Sequence, residues 1–175
     1  MNHFGKLLLG GVAALATVAW ASSDDPEALS RIVADLKGLH RVTQTPHRMA
    51  DSTAALCRIA YNTNPHEGDG NPAFCHVYVT PDAKQAMASG KGAYPRGAVV
   101  VKSKLTREKG GDAVLFTTMR KREPGYDPKH GDWEYAVLDG RSKRVLARGR
   151  IESCIACHRQ YASTDYVTRA YTKFK

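Results

Sequence analysis

The sequence has no apolar run long enough to cross a bilayer, few cysteines, few acidic residues and no internal repeat. Its longest apolar stretch, Leu7 to Ala21, has 15 residues. That falls short of the roughly 20 a membrane helix needs. No cysteine follows this stretch closely, which argues against a lipid-anchored chain. The absence of repeats and low-complexity segments excludes an array of stacked units. Against 17 Asp and Glu stand 26 Lys and Arg, for a net charge of +9. Such a basic surface suits an acidic partner or an anionic surface, and a solvated basic surface with no specific partner is the alternative. The cations are spread along several segments, a pattern that disfavours nucleic acid.

What is present begins with an export signal. Lys6, the apolar stretch after it and the small-x-small ending Ala19-Trp20-Ala21 predict a cleaved signal peptide over residues 1–21, with an uncleaved anchor as the alternative. Residues 22–175 then form a single domain of 154 residues, enough for a real core. Its charge is +8, because Lys6 is the only charged residue removed. The expected compartment is the periplasm, with no stable membrane insertion after cleavage.

Near the other end stands Cys154-Ile155-Ala156-Cys157-His158, a CxxCH run. On a helical turn the two thiols share a face, and His158 lies four residues beyond Cys154. This is the spacing of covalent haem c attachment: Cys154 and Cys157 bind the porphyrin and His158 is the axial iron ligand. A zinc site would need Cys57 and Cys75 as further ligands, at spacings unlike two close pairs. A redox CxxC should open a helix after an early strand. One haem c is therefore the expected cofactor. Cys57 and Cys75, in an oxidising compartment, are expected to form a disulfide, with two buried thiols as the alternative.

Between these landmarks the pattern is mixed. Asp24-Asp25-Pro26-Glu27 reads as a helix start, and Leu29, Ile32, Val33, Leu36 and Leu39 extend an amphipathic helix to about His40. Residues 41–71 read as loop and short helix. Phe74–Val79 alternates as a strand, and Pro81–Ala88 is a short helix ended by Gly90. Four β segments follow, 97–105, 113–121, 133–138 and 144–150, joined by glycine-bearing turns. The expected fold class is α+β: a mainly antiparallel sheet with flanking helices, the haem carried on a C-terminal CxxCH helix. No methionine follows His158, which argues against a small helical electron carrier with a distal methionine. A four-helix bundle cannot hold four β segments.

Three segments then carry a resemblance: Tyr94-Pro95-Arg96-Gly97-Ala98-Val99-Val100-Val101-Lys102, Gly131-Asp132-Trp133-Glu134-Tyr135, and the CxxCH run followed by Thr164-Asp165-Tyr166. In this order and spacing the chain resembles the cytochrome P-460 family, which includes the β-sheet type of cytochrome c′, from about Cys57 to Tyr166. The resemblance implies a periplasmic, usually dimeric haem protein with a proximal histidine and an open distal face. Members oxidise hydroxylamine, or bind nitric oxide without turnover, and a redox partner takes the electrons. In the enzymatic branch a lysine is bonded to the porphyrin, and Lys102 matches that position. Ser103 departs from the family, which often has an acidic residue there.

Alternation puts Lys102 on the face of Ala98 and Val100. If that face lines the haem, desolvation would lower the amine pKa and make it nucleophilic. The alternative is that Lys102 and Lys104 mark where the strand emerges into water. Glu123, Asp127 and Asp132 are candidate distal acids by location alone, or else solvated loop acids. Met119 reads as core filler, with a sixth-ligand role as the alternative that would make an electron-transfer cytochrome. Met49 and Met87 have no supporting context. His40, His47, His66, His76 and His130 read as surface or loop histidines, and Trp133 and Tyr135 as packing on the sheet and the haem edge.

Overall fold

The computed structural model describes residues 25, 27–50, 73–105 and 111–172. The segment expected as a signal peptide and Cys57 lie outside them. Among the described residues no helix is long and apolar enough to cross a membrane.

Helix α1 (Ala28–Ala34) buries Leu29 and Val33, one turn apart on a single face. It is shorter than the periodicity predicts. Asp35 leaves helical geometry at φ −113 and ψ 68, Leu36–Gly38 closes as a 3₁₀ turn, and Leu39 is extended. The chain stops coiling there because β1 (His40–Arg41) pairs with Val79 and Tyr78 instead. β2 (His47–Arg48) pairs with Cys75 and Phe74, so both short strands share one edge of β3 (Phe74–Val79). Neither was expected, since two-residue strands have no period to read.

After β3 come a 3₁₀ turn at Pro81–Ala83 and α2 (Lys84–Ser89), which ends at Gly90 in the left-handed region, φ 62. β4 (Val99–Leu105), β5 (Ala113–Lys121), β6 (Trp133–Asp139) and β7 (Val145–Gly149) then form the expected meander. The sheet is antiparallel throughout, in the order β1-β3-β4-β5-β6-β7 with β2 also on β3. α3 (Glu152–His158) follows β7 and carries the CxxCH run.

Both faces of this sheet are buried, which is why its strands are apolar on both sides. On one, Val99, Val101, Phe116, Ala136 and Leu138 pack against Leu29 and Val33 of α1. On the other, Val77, Val100, Met119 and Tyr135 meet Met87 of α2 and Ile155 of α3. At one end of the α1 face Glu134 is buried and accepts hydrogen bonds from Arg122 Nη1 at 3.1 Å and Arg148 Nε at 2.8 Å. Arg148 Nη1 also donates to the Asp25 carbonyl, tying the entry to α1 onto the sheet. Cys75 is buried in β3, and no disulfide joins two described cysteines.

The β6–β7 turn depends on Gly140. Asp139 Oδ1 accepts from the amides of Arg141 and Ser142, and Gly140 N donates across to the Val114 carbonyl of β5. A Cβ on Gly140 would stand 2.0 Å from the Ala113 carbonyl oxygen, a backbone atom that cannot swing away. Gly140→Ala is expected to cost about 1–3 kcal/mol or more. Urea unfolding followed by circular dichroism would measure it, and an unchanged midpoint would contradict this account of the turn.

Candidate functional site

α3 is two turns long and opens after Gly149, whose φ of 121 lets the chain leave β7 and turn back across the sheet. Glu152 in its first turn complements the helix dipole. Ile155 is buried in the core, and Cys154 packs against the same cluster. The chain tightens after His158 into a 3₁₀ segment, Arg159–Thr164, kinked at Tyr161.

Between α3 and the sheet lies a cavity of about 230 Å³ that opens to solvent. Cys154, Cys157 and His158 line it from the helix side; Val77, Val100, Lys102, Thr117, Met119 and Tyr135 line it from the sheet. The pairing explains the sheet-side set: Lys102 lies between Val77 and Thr117, and Val100 beside Met119, which in turn pairs with Tyr135. Alternation thus delivers Lys102 to the same space as the CxxCH run. β4 continues past it through buried Ser103 to Leu105, so Lys102 is not where the strand emerges into water. Ser103 faces α1's side of the sheet and does not reach the cavity.

The orientation of His158 comes from the segment beyond it. His158 Nδ1 is 2.8 Å from the Tyr166 carbonyl oxygen. Since a carbonyl only accepts, Nδ1 carries the proton and Nε2 is left as the lone-pair nitrogen. Burial pushes the imidazole below its ordinary pKa, the Tyr166 carbonyl acts in the opposite direction, and Lys102 lowers it further. The net effect favours the neutral, metal-ligating form. Tyr166 can present its carbonyl because Asp165 and Tyr166 are both left-handed, at φ 51 and 64. That conformation costs about 1–2 kcal/mol for each non-glycine residue, so the surroundings must hold it.

Other sequence candidates are placed elsewhere. Glu123 is partly exposed on Arg122. Asp127 pairs with His130 at 2.9 Å, and Asp132 Oδ1 accepts from the amides of Gly125 and Asp127. All three serve their loop, and among the described residues no carboxylate lines the cavity. Trp133 is fully buried but sits behind the cavity, edge-on to Tyr94 at 5.4 Å. Met119 and Met87 do line the space, as does His47, which reaches it through β2 with its ring edge-on to Tyr171 at 4.8 Å. The sequence offered no signal for His47, because its placement depends on a strand of two residues.

The residues suit a large, partly apolar prosthetic group. The space is far bigger than an ion needs, and no three His, Cys, Asp or Glu side chains among the described residues form a metal cage. Tyr135 lines the cavity, and its buried hydroxyl has no hydrogen-bond partner among the described residues. Burial, with Cys154, Asp127 and Cys157 adding to it, raises its pKa and keeps it a neutral donor. A native fold seldom leaves such a donor idle unless something else meets it.

A sheet face hollowed against a CxxCH helix defines a cytochrome of the β-sheet kind, distinct from the helical electron carriers. The chain belongs to the cytochrome P460 family, whose model, Cytochrome P460, matches residues 57–169. It is accordingly a c-type haem protein of that family. A comparison with curated proteins finds no match.

Tyr135→Phe is expected to act with opposite signs in two forms of the protein. In the haem-free chain it removes a buried hydroxyl that has no partner among the described residues, and it should raise stability by up to about 1 kcal/mol. In the haem-loaded chain it should lower it. Melting both forms checks this, and equal shifts would show that nothing in the cavity addresses the hydroxyl.

Proposed function

We propose that the chain carries one haem c, bound covalently through Cys154 and Cys157 with His158 Nε2 on the iron, and that it binds or oxidises small nitrogen species such as hydroxylamine and nitric oxide. The observation that carries this reading is the meeting of Lys102 with Cys154, Cys157 and His158 in one cavity. When bound, the iron supplies a coordination site and accepts electrons singly.

The chain's residues divide the remaining work. Cys154 and Cys157 would hold the porphyrin, each thiol adding across one vinyl group with no atom lost. His158, held at Nδ1, offers Nε2 in a fixed direction. Lys102 approaches from the sheet, where the family's enzymatic branch has its porphyrin-bonded lysine, and is the residue we assign to catalysis. Oxidation of hydroxylamine releases protons as well as electrons, and with Glu123, Asp127 and Asp132 committed to their loop, Lys102, His47, Thr117 and Tyr135 are among the cavity-lining groups able to relay protons. Electrons leave to a redox partner, for which the +8 charge of residues 22–175 favours an acidic surface. The segment at residues 1–21 supports export to the periplasm, and the family resemblance supports a homodimer.

A second reading, a six-coordinate electron carrier, draws on Met119 and His47 in the same lining. An absorption spectrum before and after dithionite separates the two. A high-spin iron that takes up carbon monoxide on reduction supports the open site, and a low-spin, unreactive iron supports the carrier.

Lys102→Met is expected to lower hydroxylamine oxidation by about 100-fold or more, the usual range for losing a proton-transfer group. Nitric oxide binding to the reduced iron should change little. Mass measurement of haem peptides tests the enzymatic version separately: a haem peptide without Lys102 leaves a ligand-binding protein only.

A further inference from the structure

The Thr164-Asp165-Tyr166 segment, which supplies the carbonyl that orients His158, gathers an unusual set of bonds. Lys121 Nζ, at the end of β5, lies 2.7 Å from both carboxylate oxygens of Asp165, and both side chains are only 12% exposed. The Tyr94 amide donates to Asp165 Oδ2 at 2.7 Å, and Trp133 Nε1 donates to the Asp165 carbonyl at 2.8 Å. Lys121 also sits 4.9 Å above the Trp133 ring. One acidic residue thus ties β5, β6 and the loop before β4 to the turn after α3.

Its neighbour receives the benefit. Tyr166 N donates to the Tyr161 carbonyl at 2.8 Å, and Tyr166 Oη donates to the Lys129 carbonyl at 2.9 Å. Gly131 gives its ring room, since a Cβ there would stand 2.6 Å from Tyr166 Cδ2. So fastened, the Tyr166 carbonyl points at His158 Nδ1.

We propose that Asp165, through its ion pair with Lys121, is a positioning residue that sets the electronic character of the haem iron. The route is mechanical. The ion pair holds two consecutive left-handed residues, these aim the Tyr166 carbonyl, and the carbonyl's hold on Nδ1–H makes the imidazole a stronger donor to whatever metal Nε2 binds. A stronger donor favours ferric over ferrous iron. Asp165 does not line the cavity, so it acts only through Tyr166 and His158.

This inference rests on the reading that His158 ligates the iron, and the test keeps the two apart. In the haem-loaded full chain, the iron–histidine stretching band of the reduced protein and the midpoint potential are measured for the wild type, His158→Ala, Asp165→Asn, Lys121→Gln, Lys121→Arg and Tyr166→Phe. A wild-type band that vanishes in His158→Ala establishes the ligand, as does, in a low-spin protein that shows no such band, the loss of the low-spin spectrum in His158→Ala; a band or spectrum that survives in His158→Ala sinks that reading instead.

With the ligand established, Asp165→Asn and Lys121→Gln should lower the band frequency. They should also shift the ferric-to-ferrous ratio at fixed potential about threefold toward ferrous, which is an upward shift of about 28 mV for one electron. Lys121→Arg, which keeps the charge, should restore most of the wild-type value. Tyr166→Phe, which removes only an exposed hydroxyl strap, should give a smaller shift of the same sign. Should Asp165→Asn fail to fold, Lys121→Gln and Tyr166→Phe carry the test. Wild-type band and potential in these variants, whatever their melting temperatures, would overturn the proposal and leave Asp165 a purely structural residue.

Discussion

The whole arrangement depends on a sheet that is buried on both faces and therefore cannot slip. Side chains along a strand alternate between faces, so moving β4 by one residue would send Lys102 toward α1 and bring Val101 or Ser103 to the cavity. Val99 and Val101 prevent this by packing with Leu29 and Val33, while Val100 packs with Met119 on the other side. Burial of the α1 face thus holds the register that delivers a cation to the α3 face. α1 contributes to the site without touching it.

The helix side is held by different physics. α3 is too short to be stable by itself and leans on Ile155 in the core. Its histidine takes direction from a backbone carbonyl eight residues later, and that carbonyl from a turn whose backbone is intrinsically unfavourable. The turn persists because Asp165, Lys121, Tyr94 and Trp133 satisfy one another around it. Sheet and helix sides are joined there, since Lys121 and Trp133 belong to β5 and β6.

Much of this was legible in the residues. The meander from β3 to β7 follows from alternating apolar segments and glycine turns, and the face assignment of Lys102 from period alone. The CxxCH spacing named the cofactor class before any fold was considered. What was not legible involved short or non-local contacts. β1 and β2 exist because β3 has an edge to share, a fact no two-residue pattern contains. α1 stops early for the same reason, its final turns giving way to strand pairing. His47 enters the cavity lining as a consequence.

The acids show the difference most clearly. Glu123, Asp127 and Asp132 lie near the right place in sequence, yet each is turned to Arg122, to His130 or to loop amides, because a short polar loop satisfies its own groups first. By itself the sequence determined the cofactor class, the face of each strand and the family, since these are written in spacing and period. Only the tertiary structure decided that Lys102 and His158 share a cavity, that Tyr135 brings to it a hydroxyl with no partner among the described residues, and that Asp165 stands behind the histidine. Those depend on side chains distant in sequence coming within a few ångströms, and local pattern cannot encode which distant partner a charge or a carbonyl will meet.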